Sequence, residues 1–360
     1  MAKVLTEEEV GERIEAMRRR PQRFRDDRIT MAHGAGGKAS RALIEGLVVP
    51  LLGVSAPASL SDAAPLAIDG ARLAFTTDAF VVRPLSFPGG TIGDLAVNGT
   101  VNDLAVSGAR PLELALAMIL EEGLPAEVLQ EQVSAIAAAA TQAGVRVATG
   151  DTKVVERGKC DGMYLTTTGI GVLHEDARLD PARVRPGDKV LVSGSIGDHG
   201  VAIMLARGGL DLEAEVRSDT RSLWPVARAM LDACGPDIRC LRDATRGGVA
   251  TVLNEIAVAA EVGVLIAEDR VPVRPEVTGA CEILGIDPLY VANEGKLVAF
   301  VAPEAADAAL EAMRRTEGGA DAALVGEVRA EPPGRVLGRT GFGGHRIIDV
   351  LVGDPLPRIC

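Results

Sequence analysis

The sequence predicts an α/β protein of two similarly sized domains followed by a tail, and three observations carry that expectation. Stretches with the two-residue period of strands alternate with stretches of helical period along most of the chain. The alternation is broken at Pro186-Gly187-Asp188, with comparable lengths on either side. Beyond Pro333, glycines and prolines crowd together, and the chain finishes Leu356-Pro357-Arg358-Ile359-Cys360. These features divide it into a charged extension (1–28), an N-terminal domain (29–180), a C-terminal domain (181–332) and a mobile tail (333–360).

Taken in order, residues 1–28 read as one amphipathic helix followed by a basic stretch, an exposed extension. His33-Gly34-Ala35-Gly36-Gly37-Lys38-Ala39-Ser40 has the composition of a phosphate loop but the spacing of none. A glycine-rich turn entering a helix can still present backbone N–H groups to an anion. Ala71–Thr77 reads as a strand ending at Asp78, and Thr91–Gly108 as a helix with Asn98, Asn102 and Asp103 near one side. Strand Leu112–Leu120, helix Pro125–Ala143 and a short strand Val145–Ala148 follow, the last ending in Thr149-Gly150-Asp151-Thr152-Lys153. A threonine-rich strand, Gly162–Leu173, closes this half.

In the second half, strand Lys189–Ser193 leads through a glycine-rich turn, Gly194–Gly200, into helix Val201–Ala206. A helix near Asp219–Ala233 and strand Ile238–Leu241 precede Asp243-Ala244-Thr245-Arg246-Gly247-Gly248, which opens helix Val249–Ala260. Asp and Thr before a Gly-Gly helix start are either caps or part of an anion seat. Strand Val264–Ala267, helix Pro275–Leu284, strand Leu297–Val301, helix Pro303–Arg315 and strand Ala323–Val328 complete the domain.

Composition narrows the function classes. A net charge of −12 disfavours nucleic-acid backbones and anionic membrane surfaces as partners. Five cysteines, an odd number without a C-x-x-C pair, fit a reducing compartment rather than a disulfide framework. No charged-then-apolar leader and no run of membrane-spanning length is present, so a cytoplasmic protein is expected.

Two sets of residues carry chemistry. Asp62, Asp78, Asp103 and Asp151 lie at or near element ends beside small residues, and Lys153 follows two residues after the last. Such carboxylates are either scattered surface charge or hard oxygen ligands that hold Mg²⁺ through nucleotide phosphates. Cys360 is either a ragged end or a thiol on a tether that acquires a group at one site and carries it to another. The last ten residues reach about 30 Å when extended.

Several stretches together resemble a known family: Met31 to Lys38, Thr76-Thr77-Asp78-Ala79-Phe80, Val101-Asn102-Asp103-Leu104-Ala105 with Gly108-Ala109-Arg110-Pro111, Gly150-Asp151-Thr152-Lys153-Val154, Asp243 to Gly248, Ala292-Asn293-Glu294-Gly295 and Pro357-Arg358-Ile359-Cys360. From about residue 29 onward the chain resembles the hydrogenase-maturation HypE family, within the aminoimidazole-ribonucleotide synthetase (PurM-like) superfamily. The resemblance implies two PurM-like domains, the N-terminal sheet pairing with a second copy into a dimeric barrel-like core and the C-terminal domain forming an α/β sandwich. It further implies that Cys360 receives a carbamoyl group from the carbamoyltransferase HypF and that ATP with Mg²⁺ drives its dehydration to a thiocyanate. The cyano group then goes to iron on a HypC–HypD complex. By the same resemblance Asp62, Asp78, Asp103 and Asp151 bind Mg²⁺, Asn102, Gly150 and Thr152 help bind ATP, Lys153 stabilises the transferring phosphoryl group or polarises the amide, and Glu294 binds or deprotonates the substrate end. Lys153 and Glu294 are alternatively a structural ion pair. The chain departs from the superfamily at Ser61, where many members carry a second acidic residue. Two other readings stay open: a small-molecule kinase of the same superfamily, and a scaffold whose terminal thiol binds metal.

Overall fold

Thr91 starts the helix on which both domains rest. In a computed structural model, which describes residues 24–34, 37–52, 63–68, 70–208, 215–341, 343–351 and 358–360, helix α1 spans Ile92–Val106. The Thr91 hydroxyl accepts from the N–H groups of Gly93 and Asp94, and the Asp94 carboxylate accepts from the Thr91 N–H. This capping box satisfies donors that a helix start otherwise leaves unpaired. Only Asp94 and Asp103 escape burial along α1, and a helix apolar on nearly every side belongs in an interior. Burying Leu95, Val101 and Leu104 completely contributes about 2 kcal/mol each.

One flank of α1 packs on a five-stranded sheet of order β1-β2-β7-β5-β6, made of Ala64–Ile68, Ala71–Phe80, Met163–Leu173, Ala109–Glu121 and Arg146–Val155. Strands β5 and β6 are parallel and joined through helix α2 (Ala126–Ala143), which packs beside α1. The two-residue ribbon of β3 (Ser86–Phe87) and β4 (Gly90–Thr91) leads into α1. The sheet's other face lies open, with Leu66, Ile68, Phe75 and Ile119 exposed. Among the described residues the sheet is open, not a closed barrel.

The other flank of α1 meets the C-terminal domain. Its seven-stranded sheet has the order β14-β13-β10-β12-β8-β11-β9. The strands are β8 (Lys189–Val192), β9 (Ile238–Asp243), β10 (Gly263–Ala267), β11 (Leu297–Val301), β12 (Ala323–Arg329), β13 (Arg335–Arg339) and β14 (His345–Ile348). Alternation along β11 splits two cores: Val298 and Phe300 face one side, Leu297, Ala299 and Val301 the other. The first side is covered by α5 (Gly248–Ala259), the second by α4 (Trp224–Cys234) and α7 (Ala306–Arg314), giving the expected sandwich. Helices α3 (Asp198–Ala206) and α6 (Pro275–Leu284) join the core around Ile92 and Leu95, which is continuous between the domains.

Several elements differ from the sequence expectation. Strand β6 runs through Thr149–Lys153 instead of ending before them. Helix α3 begins at Asp198, so Asp198 and His199 lie in the helix, not in a turn. Residues 219–222 form a loop, and α4 starts only at Trp224, where Pro225 fits the first turn. The segment expected to be a tail from 333 contributes β13 and β14 to the sheet, with Val336 and Ile348 fully buried. Residues 1–23 of the extension, the tail stretch 352–357, and Ala35, Gly36, Ser61 and Asp62 lie outside the described residues.

Candidate active site

A cavity of about 210 Å³ opens where β2, α1 and the C-terminal domain converge. Asp78 and Phe80 reach it from β2, and Gly99 and Asp103 from α1. The C-terminal domain supplies Asp243, at the end of β9, with Thr245, Arg246 and Glu294. Cys360 completes the lining. Gly99 leaves room for the β2 side chains: a Cβ there would stand 2.7 Å from the Phe80 ring and 3.4 Å from Asp78 Oδ2.

The electrostatics centre on Glu294. It is 2 % exposed, and its Oε1 has no hydrogen-bond partner. Burial, reinforced by the nearby charges of Asp78, Asp219 and Asp243, pushes its pKa well above the ordinary carboxylate range, against a counter-pull from Arg246. Burial likewise raises the pKa of Asp78, opposed by the Ala79 N–H and by Arg246. Asp103 accepts a 2.8 Å hydrogen bond from the Thr76 hydroxyl.

The backbone of Glu294 is fixed by a loop that crosses α1. Its N–H donates to Asp219 Oδ1 at 3.0 Å, and its carbonyl accepts from Asn102 Nδ2 at 3.0 Å. Burial would raise the Asp219 carboxyl, but the Lys296 ammonium, 2.8 Å from Oδ2, together with His199 and the Glu294 N–H, holds it below its ordinary range. Asn102 also donates to the Arg221 carbonyl and accepts from the Leu223 N–H. Expected to help bind ATP, Asn102 here spends its carboxamide on three backbone groups that dock the domains and hold Glu294.

The end of the chain enters the cavity as a strand-like segment against the continuation of β2. Ile359 bridges Val82, the Val81 N–H donates to the Cys360 main-chain oxygen at 2.9 Å, and the Arg83 N–H donates to the Arg358 carbonyl at 3.3 Å. Arg358 donates to Asp161 at 2.8 Å, and Ile359 is 3 % exposed. Residues 358–360 therefore lie inward.

Asp78, Asp103, Glu294 and Cys360, separated by up to nearly three hundred residues, thus share one cavity. Asp151 and Lys153 stand elsewhere. They pair with each other at 2.7 Å on edge strand β6, both side chains mostly exposed. The ion pair of Lys153 with Glu294 is therefore replaced by one with Asp151. Register places Asp151 in one cross-strand row with Ala117, Thr166 and Ala79, on the open face of the sheet and about 14 Å from Ala79 at ordinary strand spacing. Gly150 and Thr152 lie on the same edge strand. Asp62 lies outside the described residues.

Asp243, Thr245 and Arg246 stand in a stretch whose residue types suit either caps or an anion seat, and all three line the cavity. Helix α5, just after them, has Gly247 as its N-cap with φ +75°. Gly248 has no alternative, since a Cβ would stand 2.5 Å from the Leu289 carbonyl oxygen. His199, Asp219, Arg207 and Asp161 gave no local signal, because their partners lie far away in sequence.

The sequence matches the profiles of the AIR synthase related protein N-terminal domain over residues 60–173 and C-terminal domain over residues 185–338. It is 54 % identical over 340 residues to the carbamoyl dehydratase HypE of Rhodobacter capsulatus, covering 94 % of this chain and 99 % of that one. The fold is similar to that of HypE in a HypE–HypF complex, with TM-score 0.81, 45 % identity and coverage of 86 % of this chain and 100 % of that one. It is similar also to HypE crystallised in complex with ATP, with TM-score 0.77, 46 % identity and coverage of 92 % and 100 %. Among the described residues no helix is long and apolar enough to cross a membrane.

Proposed function

The chain belongs to the carbamoyl dehydratase HypE family of AIR-synthase-related proteins, and from that membership we propose that it acts in hydrogenase maturation by dehydrating a carbamoyl group carried on Cys360 to a thiocyanate. The observation that carries the chemistry is the seating of Cys360 in the same cavity as the unpartnered carboxylate oxygen of Glu294. A carbamoyl group on Sγ extends the side chain by an amide into a space that holds a proton acceptor of raised pKa. Conversion of S–C(=O)–NH₂ to S–C≡N loses one oxygen and both amide protons. A base tuned upward toward the working pH suits that loss. Arg246, whose field acts on both Asp78 and Glu294, offsets negative charge in the cavity.

Bound ATP supplies the phosphoryl group that makes the amide oxygen a leaving group, and Mg²⁺ neutralises charge on its phosphates. The donor set fits such an ion. Asp78, Asp103 and Asp243 offer hard oxygen atoms, but among the described residues no three acidic, His or Cys side chains form a metal cluster. Mg²⁺ is commonly held by one or two carboxylates with phosphate oxygens completing the shell. The carbamoyl donor is a HypF-type transferase, and the cyano group passes to iron on a HypC–HypD complex.

A second copy of the chain completes the site in this reading. The open sheet face exposes Leu66, Ile68, Phe75 and Ile119, an apolar patch of the sort that marks an interface. The same sheet ends in Gly150, Asp151, Thr152 and Lys153 on its edge strand. Packing two open faces buries the patch, forms the barrel-like core of a homodimer, and carries Lys153 and Asp151 of one copy toward the other's cavity.

Phosphate release from ATP by carbamoyl-loaded protein tests both parts. It is expected from wild type, and only after loading. Lys153→Ala and Asp103→Ala are each expected to be inactive, while a refolded equimolar mixture recovers about a quarter of wild-type activity, as one intact site forms in each two-fold heterodimer. No release from loaded wild type overturns the dehydratase chemistry. Release without recovery in the mixture overturns the shared site.

A further inference from the structure

His199 is fully buried at the start of α3, outside the lining of the cavity, yet it holds the end of the chain. Its Nε2 lies 2.6 Å from the Ile359 carbonyl oxygen and its Nδ1 2.8 Å from the Ser218 hydroxyl. The carbonyl only accepts, so Nε2 carries the proton. Ser218 Oγ accepts from the Thr220 N–H, leaving its own proton for Nδ1. Phe87 meets the imidazole edge-to-face, with ring centroids 5.7 Å apart, which fixes the ring's tilt. About two turns further along, just past the end of α3, exposed Arg207 donates to the Arg83 carbonyl at 2.7 Å and also to the Arg358 carbonyl.

Successive tail carbonyls are therefore held from one helix, Arg358 by Arg207 and Ile359 by His199. The Arg358 carbonyl also accepts from the Arg83 N–H, and the Cys360 main-chain oxygen accepts from the Val81 N–H. Loop residues join this contact to Glu294: Ser218 bonds His199, and the next residue, Asp219, accepts from the Glu294 N–H. We propose that His199 is a positioning residue, which with Arg207 forms a clasp on the tail backbone that seats Cys360 in the Glu294 cavity. The clasp recognises backbone rather than side chains, so it accepts Cys360 whether or not its sulfur carries a group. Its role in turnover rests on the dehydratase reading; its hold on the tail does not.

Iodoacetamide alkylation of Cys360 in the ligand-free protein, mapped by mass spectrometry, reads the hold directly. His199→Ala is expected to speed alkylation about tenfold, the ordinary worth of one buried hydrogen bond. His199→Gln, whose amide still donates, restores slow alkylation, and exposed Arg207→Ala speeds it without disturbing a core. In the second arm, His199→Ala still takes up the carbamoyl group but loses water about tenfold more slowly. Unchanged alkylation in both His199→Ala and Arg207→Ala overturns the clasp, as does a Gln variant that alkylates as fast as Ala. If His199→Ala does not fold, the Gln and Arg207 variants decide. Faster alkylation in a protein that never accepts a carbamoyl group leaves the clasp standing while the dehydratase reading fails.

Discussion

Cys360→Ala is expected to abolish carbamoyl uptake from labelled carbamoyl phosphate, a fall of at least about 10³-fold, because covalent carriage has no substitute nucleophile. The other cysteines do not replace it. Cys240 and Cys281 are buried, and burial pushes the Cys281 thiol up to about 11. Cys160 and Cys234 are half-buried with thiols that burial also raises, so thiolate is scarce at each of them. Ile359, the clasp and the fold remain in the variant, so its thermal stability is expected to match wild type. Label retained at wild-type level in Cys360→Ala contradicts this role.

Glu294→Gln carries the second large effect, and it acts in opposite directions on activity and stability. Carbamoyl uptake continues, while loss of water slows by about 10²–10⁴-fold, the ordinary contribution of a positioned base. Stability rises at neutral pH. Folding raises the Glu294 pKa well above 4.5, so in the window above that value the folded chain keeps a proton that the unfolded chain releases. Wild type therefore loses stability as pH climbs from the ordinary carboxylate value toward the raised one. Glutamine, always neutral, is spared that loss. Urea unfolding at neutral pH is expected to show Gln above wild type, with the difference vanishing below about pH 4.5. A Gln variant no more stable than wild type contradicts the burial of an unpaired carboxyl; one that dehydrates at wild-type rate contradicts its role as base.

Local pattern in the sequence captured the layered architecture well and the site only in part. Helix α1 was legible because its apolar residues keep a helical period and Thr91 with Asp94 mark its start. The turn at Pro186-Gly187-Asp188 was legible, and β8 follows it directly. Strands β13 and β14 were hidden because Gly338, Gly341, Gly343 and Gly344 dilute the alternation that Val336 and Ile348 supply. Glycine and proline density was read as mobility, yet Gly338 sits within a strand, where a Cβ would stand 2.0 Å from the Glu268 carboxylate and 3.0 Å from the Ile348 side chain.

The site residues divide along the same physical line. Asp78, Asp103 and Glu294 lay in recognisable motifs, and the fold brings them to one cavity. Lys153 and Asp151 lay in an equally recognisable motif, but sheet order carries them to the far edge. No local pattern reveals sheet order. Asn102 looked like a ligand-binding amide because its partners, the backbone of Arg221, Leu223 and Glu294, are more than a hundred residues away. His199 gives no local signal for the same reason: its carbonyl partner is Ile359.

Intact mass of the wild-type protein, followed over a single turnover with a HypF-type carbamoyltransferase, carbamoyl phosphate and ATP, tests the central claim most directly. The expected record is a gain of about 43 Da on the chain, as a covalent modification of one residue requires, followed only with ATP by a loss of about 18 Da as phosphoryl transfer drives out the amide oxygen. A chain that stays unmodified while ATP is consumed with a free small molecule contradicts it.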